Sequence, residues 1–149
     1  MIRSGIQQSE FHHAYTVTAS DLNRYGMMHG GRLLTLCDEA GYVSAHKHAN
    51  GDCLTLAVHQ ARFHHAIQEG EHLVFRARVG LTGHSSLWVF IEVTTSDNGQ
   101  CVMEAVFVFA AVDGQKRVRQ VPAIHAETDE DKQLQIRLKR MKAQLSIKS

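Results

Sequence analysis

The sequence predicts an α+β domain: a five-stranded antiparallel sheet wrapped around one long buried helix, with a further helix at the C-terminus. Three observations carry this expectation. The proline-free segment Gly30 to His48 is apolar at helical spacing. Four later segments, 53–63, 72–81, 87–95 and 101–112, are rich in Val, Phe and Thr. The connectors between those four are short and turn-like, whereas a parallel crossover needs about a dozen residues or more.

Taken in order, the first strand spans roughly Phe11 to Thr18. In the helical segment Leu33, Leu36, Cys37, Ala40 and Val43 recur at i, i+3, i+4, i+7 and i+10. Leu34, Gly41 and Ala45 add a second apolar or small face, so the helix belongs inside the molecule. Asn50-Gly51 is a turn dipeptide that ends it. In the 72–81 strand, Leu73, Phe75, Ala77, Val79 and Leu81 alternate with Val74, Arg76, Arg78 and Gly80, the period of a sheet with one buried face. Glu69-Gly70-Glu71, Gly83-His84-Ser85-Ser86 and Asp97-Asn98-Gly99 supply the turns. Wrapping a sheet round one helix buries the apolar face of each.

Residues 1–125 form this main domain, and residues 126–149 an amphipathic C-terminal helix. Thr128 and Asp131 resemble a capping box, and Asp129, Glu130 and Asp131 suit the positive end of a helix dipole. Lys132, Arg137, Lys139, Arg140 and Lys142 follow. Leu134, Leu138, Met141 and Leu145 make a narrow stripe that docks on the same subunit or on a neighbour. The basic face also suits a phosphorylated ligand.

Composition excludes several classes of function. A length of 149 residues fits one domain and can bury its core without a disulfide or metal staple. Sixteen Lys+Arg against 15 Asp+Glu, a net charge of +1, argues against a nucleic-acid or polybasic membrane surface. No apolar run reaches the roughly 18 residues of a membrane span; Cys101 to Val112 is interrupted by Glu104. The N-terminus lacks the basic-then-apolar layout of a signal peptide. Cys37, Cys53 and Cys101 are odd in number and lie in apolar runs, which predicts no disulfide framework and a cytoplasmic setting.

Of the 11 His residues, His12/His13, His46/His48 and His64/His65 are paired. Adjacent strand residues point to opposite faces, and helix positions two apart lie about 200° apart, so no pair shares an ion readily. Neither H-E-x-x-H nor C-x-x-C occurs, and no metal site is expected.

Familiar catalytic loops are missing as well. Gly83-His84-Ser85-Ser86-Leu87 lacks the second glycine of a nucleophile elbow, and no phosphate loop or G-x-G-x-x-G is present. The central helix nonetheless carries a signal. On a helical wheel Asp38 falls near Leu34, Gly41 and Ala45, whereas Glu39 falls on the polar side with Arg32, Thr35 and His46. A carboxylate against an apolar face is costly unless partnered. Asp38 is therefore either a site acid or a group paired with a hydroxyl or amide that fixes packing. Upstream, Asn23 and Gly26 precede Gly30-Gly31, which open the helix. A glycine pair there leaves backbone N–H groups uncovered for an anion or developing oxyanion, or else permits only a tight turn and close packing. Spacing leaves both readings open.

These same residues carry a resemblance. Asn23-Arg24-Tyr25-Gly26-Met27-Met28-His29-Gly30-Gly31 with Cys37-Asp38-Glu39-Ala40 resembles the N-x-x-G-x-x-x-G-G…D-E-A run of hotdog-fold acyl-CoA thioesterases. Thr55, Phe63, Glu69-Gly70-Glu71, Val79 to Ser86 and Glu104 to Phe109 continue it, over about residues 10–122. The resemblance implies a hotdog fold and a homodimer at least, often a hexamer built as a trimer of dimers. It also implies hydrolysis of acyl-CoA to a carboxylic acid and CoA at the dimer interface. Asp38 would come from one subunit as general base or nucleophile, with Asn23 and the Gly30-Gly31 loop open to supply by the other. The Gly31 N–H would polarise the thioester carbonyl, Asn23 would orient water or substrate, and Thr55 would help place the water. The turn Gly83, His84, Ser85 and Ser86 would contact CoA, which enters as part of the substrate and not as a cofactor.

Two positions depart from the pattern: His29 stands before the glycine pair, and His84 replaces the turn arginine. Imidazole is mostly neutral at pH 7 and a weaker phosphate partner, so the expectation is either a modest CoA affinity or a phosphate held by another cation, such as Arg62, Arg117 or the C-terminal helix. Tyr42, Met27, Met28 and Phe63 either line an acyl tunnel or belong to plain core. A hotdog enoyl or 3-hydroxyacyl thioester hydratase-dehydratase is the alternative enzyme, although the only proline, Pro122, lies far from the helix. A non-catalytic acyl-CoA-binding module is the alternative without chemistry, and it would need neither Asp38 nor Asn23.

Overall fold

In the computed structural model, which describes residues 4–148, a two-residue strand β1 (Ser4–Gly5) and a one-turn helix α1 (Ile6–Ser9) lead into β2 (Phe11–Thr16). A 3-10 turn, Ala19–Asp21, and a loop precede the central helix α2 (Gly30–Ala49). Strands β3 (Cys53–Phe63), β4 (His72–Thr82), β5 (Ser86–Thr95) and β6 (Cys101–Ala111) follow. A short β7 (Ile124–His125) pairs in parallel with β1, and α3 (Asp129–Lys148) ends the chain. The first strand stops at Thr16, two residues short of the expected end, because Thr18 caps the 3-10 turn through its own N–H and hydroxyl on Asp21.

The five-stranded sheet is antiparallel throughout, in the order β2-β4-β5-β6-β3. Its inner face, with Phe75, Val79, Ile91, Phe107 and Phe109, closes on Leu33, Leu36, Cys37 and Ala40 of α2. Gly41 allows this approach: a Cβ there would lie 3.1 Å from Ile91 Cδ1 and 3.2 Å from Phe109 Cε1. At the other end of α2, Asn50 adopts the left-handed conformation, φ 54°, and Arg119 Nη2 donates to the Ala49 carbonyl at 2.9 Å. A cation at that negative helix end is favourable.

The outer face is also covered, contrary to the one-sided sheet that strand periodicity predicts. Leu134, Leu138 and Met141 of α3 pack on Leu81, Trp88, Phe90, Val106 and Val108. The helix thus docks on its own subunit. Each buried leucine contributes roughly 2 kcal/mol. Leu81, expected on the inner face, belongs to this outer cluster because a β-bulge at Gly80 shifts the register between Val79 and Leu81. Gly80 itself is required by α3: a Cβ would lie 2.6 Å from Leu138 Cδ1 and 2.8 Å from Leu134 Cδ2.

Among the described residues both sheet edges, β2 and β3, lack a second strand partner. Along β3, Leu54, Leu56, Val58 and Phe63 are between 43 and 62% exposed, an apolar free edge.

Candidate functional site

The loop before α2 is built by backbone pairing. Met28 N donates to Ile67 O at 2.7 Å, His29 N to Asp21 O at 2.8 Å, and Asn23 N to Met27 O at 2.7 Å. Gly26 adopts φ +79°, which a side chain would resist. Asn23 Oδ1 accepts from Tyr25 N at 2.9 Å and Met27 N at 3.2 Å, so its carboxamide NH2 remains as a donor. Asn23, Met27, Met28, Gly30, Leu33, Phe63 and residues His64 to Ile67 line a cavity of about 300 Å³. Of the residues suggested for an acyl tunnel, Met27, Met28 and Phe63 meet here. Tyr42 does not; it stacks on His46 with ring centroids 5.7 Å apart.

Helix α2 begins beside this cavity without a side-chain cap, since the N-cap residue His29 makes no capping hydrogen bond. Neither opening glycine is demanded by packing within the chain. A Cβ on Gly30 would come no nearer than 3.6 Å to Phe63, and one on Gly31 no nearer than 3.6 Å to His29 Nδ1, both ordinary contacts. Gly41 and Gly80 show what a packing glycine looks like; Gly30 and Gly31 are unlike them. Of the two sequence readings, space held open for an approaching group fits better than close packing.

Asp38 lies two turns further along α2, half-buried at the margin of the core. Its Oδ1 accepts a 2.7 Å hydrogen bond from Thr55 Oγ1 on the free edge strand. The predicted neighbour is thus in place, although the carboxylate is less enclosed than its wheel position suggested, because the open β3 edge leaves one side uncovered. Glu39 is exposed. Gly31 and Asp38 are seven positions apart, a rise of about 10 Å along the helix.

The turn Gly83 to Ser86 sits at the β4–β5 end of the sheet, and backbone bonds fasten it on three sides. Gly83 N donates to Ser86 O at 2.9 Å, Ala111 N to Ser85 O at 2.8 Å and Val121 N to His84 O at 2.8 Å. Through the register Thr55–Phe109–Leu87 it lies at the same end of the sheet as Thr55, two strands away.

Sequence reading missed Asp21, which organises the loop. Its side chain is 4% exposed and accepts from Tyr15 Oη at 2.7 Å, Thr18 N at 2.8 Å and Arg32 Nε at 3.1 Å. Burial raises its pKa, but the hydrogen bonds from Thr18, Tyr15 and Arg32 outweigh this and hold it at about 2. The capping-box spacing from Thr18 to Asp21 was the available signal.

Three possible metal donors from His64, Cys101 and Glu104 come within 4.8 Å of one another, a grouping that adjacent-histidine spacing could not reveal. Arg137 Nη2 already pairs with Glu104 at 3.4 Å, and burial pushes the Cys101 thiol pKa up, so the cluster as it stands is neutralised without an ion.

A family model described as the thioesterase superfamily matches residues 25–102, which include Gly30, Gly31, Asp38, Thr55 and the 83–86 turn. An uncharacterized acyl-CoA thioester hydrolase of Haemophilus influenzae is 32% identical over 110 residues, covering 69% of this chain and 71% of that protein. The hexameric thioesterase of Yersinia pestis is 32% identical, with a TM-score of 0.69 over 73% of this chain and 92% of that one. A hexameric acyl-CoA thioesterase superposes on 99% of this chain and 97% of its own, with a TM-score of 0.93 at 24% identity. That likeness extends to α3 and shows the hotdog fold. The chain spans about half the length, 48%, of protein VdlD of Helicobacter pylori. Among the described residues no helix is long and apolar enough to cross a membrane.

Proposed function

Because the chain belongs to the thioesterase superfamily, we propose that it hydrolyses acyl-CoA thioesters, water and RCO–SCoA giving RCOOH and CoASH. The observation that carries this reading is the 2.7 Å Thr55–Asp38 hydrogen bond on the same helix whose N-terminus is uncapped beside a cavity. The Thr55 hydroxyl occupies Oδ1 and leaves Oδ2 for the reaction. As general base, Oδ2 takes a proton from water while the water oxygen attacks the carbonyl carbon. As nucleophile, it forms a mixed anhydride that water then cleaves. In either case the C–S bond breaks and the departing sulfur receives a proton. Backbone N–H groups at Gly30 and Gly31 meet the developing oxyanion, and the Asn23 NH2 orients water or substrate.

In this reading the two halves come from different protomers, and their separation of about 10 Å along the helix within one chain supports it. The free β3 edge, with its exposed apolar residues, is the surface through which two copies join. The Yersinia pestis relative is hexameric, and a trimer of such dimers is the corresponding assembly here.

The test is a panel of acyl-CoAs with detection of released thiol, comparing wild type with Asp38→Ala and Asn23→Ala. A loss of about 10²–10⁴ in kcat for Asp38→Ala is expected. Undiminished hydrolysis by Asp38→Ala sinks the catalytic assignment. A change in crotonyl-CoA absorbance without thiol release would replace hydrolysis by hydration.

A further inference from the structure

One alternation is missing from β6. Thr94 of β5 pairs with Cys101, but Val93 pairs with Met103, so Val102 is an extra residue in the ladder. Val102 and Met103 are both buried in the inner core, 3 and 0% exposed. The bulge therefore returns Cys101 and Glu104 to the same outer face, whereas an unbroken strand points residues three apart to opposite faces. The chain leaving β3 comes to the same place. Arg62 is the register partner of Glu104 and Phe63 of Met103, and His64 N then donates to the Val102 carbonyl at 2.8 Å. A ring nitrogen of His64, the Cys101 sulfur and a Glu104 carboxylate oxygen consequently lie within 4.8 Å of one another.

Donors at the 2.0–2.3 Å distances of a tetrahedral zinc ion stand about 3.3–3.8 Å apart. Closing the difference takes about 1.5 Å at most, within reach of side-chain torsions in an exposed His64 and a half-buried Cys101 and Glu104. The charges around the cluster also favour a cation. Glu104 stands directly across from Glu92, a like-charge pair that destabilises neighbouring strands unless balanced. Arg76 and Arg78 serve Glu92 at 3.7 and 3.5 Å, while Glu104 has Arg137 of α3 at 3.4 Å, from a side chain 39% exposed. Burial, and then Glu104 and Glu92, push the Cys101 thiol pKa up, so the potential at this sulfur is negative.

We infer that His64, Cys101 and Glu104 form a site for a divalent cation of the zinc class. The inference is independent of the thioesterase reading. One sulfur, one imidazole and one carboxylate suit zinc, whereas magnesium and calcium take oxygen donors. On binding, the Cys101 thiol gives its proton to solvent and the ion takes the thiolate. A divalent ion with one thiolate, one carboxylate and a neutral imidazole carries no net charge, so Glu104 no longer needs Arg137. The fourth position is left to water. His64 also lines the cavity beside Asn23, which puts the ion at its rim.

Metal titration of the intact, chelator-treated chain tests this, with Co2+ as spectroscopic probe and Zn2+ as competitor. Wild type is expected to take up Co2+ with a sulfur-to-cobalt charge-transfer band that Zn2+ abolishes, and Cys101→Ser to lose that band. His64→Ala and Glu104→Gln should each weaken Zn2+ at least about tenfold, since even outer partners of a metal ligand are worth that much. His64 is exposed, so its substitution leaves the fold intact. Absence of the band in wild type overturns the inference. So does a band that survives Cys101→Ser. Zn2+ affinity unchanged in both His64→Ala and Glu104→Gln overturns it as well, since that marks an adventitious ion on a lone thiol. All of these readouts are binding, so the loss of either this inference or the hydrolase reading leaves the other standing.

Discussion

Asp21 and Arg32 tie the loop before the central helix to the helix's own first turn, with Arg32 Nε 3.1 Å from Asp21 Oδ1. The same carboxylate takes the Tyr15 hydroxyl and the Thr18 N–H, so one buried acid joins β2, the 3-10 turn and α2. Asp21→Ala would leave those donors without their acceptor and is expected to lower stability by about 2 kcal/mol. A thermal melt that matches wild type would contradict this role.

Acid sensitivity should appear in two stages. Burial holds the His48 pKa below its ordinary value, so the unfolded chain binds the proton more readily. Stability from this residue is complete above about pH 6.5 and declines as pH falls below that. Asp21 has its folded pKa depressed to about 2, so its contribution is complete above about pH 4 and is lost between there and about pH 2. Denaturant titrations across pH should show both stages, and His48→Asn should remove only the upper one.

The glycines divide into two classes with opposite expected phenotypes. Gly80→Ala forces a methyl group to 2.6 Å from Leu138 Cδ1 and should destabilise the chain by about 1–3 kcal/mol as α3 shifts. Gly31→Ala meets nothing closer than 3.6 Å, so the melting temperature should hold or rise slightly while kcat falls. Equal destabilisation of the two would show that Gly31 serves packing after all.

Asp38→Ala and Asn23→Ala chains, each inactive alone, should complement each other when unfolded and refolded together. In a mixed dimer one site receives both substitutions and the other neither, so random mixing restores about one quarter of wild-type activity. No recovery would mean that Asp38 and Asn23 act from a single chain.

Thr55→Val removes the hydroxyl that donates to Asp38 Oδ1 while keeping the shape of the side chain. We expect kcat to fall by about tenfold with little change in melting temperature, because the bond lies at an exposed edge. A pH–rate profile identical to wild type, with unchanged kcat, would leave Thr55 without a role in placing the acid.

Much of the fold was legible because burial writes local periods into the chain. The 3.6-residue recurrence of Leu33, Leu36, Cys37 and Ala40 gave α2, and the period-two alternation from Leu73 to Val79 gave β4. Reading failed where a local rule was interrupted: the bulge at Gly80 sends Leu81 to the other face, and β1, α1 and β7 are too short to show a period. Asp38, Asn23 and the glycine pair were legible as a set only through their resemblance to a known motif, because wheel position alone could not distinguish a site acid from a packed one.

The sequence by itself determined the elements, their order and the apolar side of the helix, since each of these depends on residues a few positions apart. Only the tertiary structure decided which glycines are obligatory and which donors gather at Cys101. A missing Cβ, or a neighbouring donor, is felt by groups that arrive from distant parts of the chain. Leu138 over Gly80 and His64 beside Cys101 come from more than thirty residues away, and no local period records them.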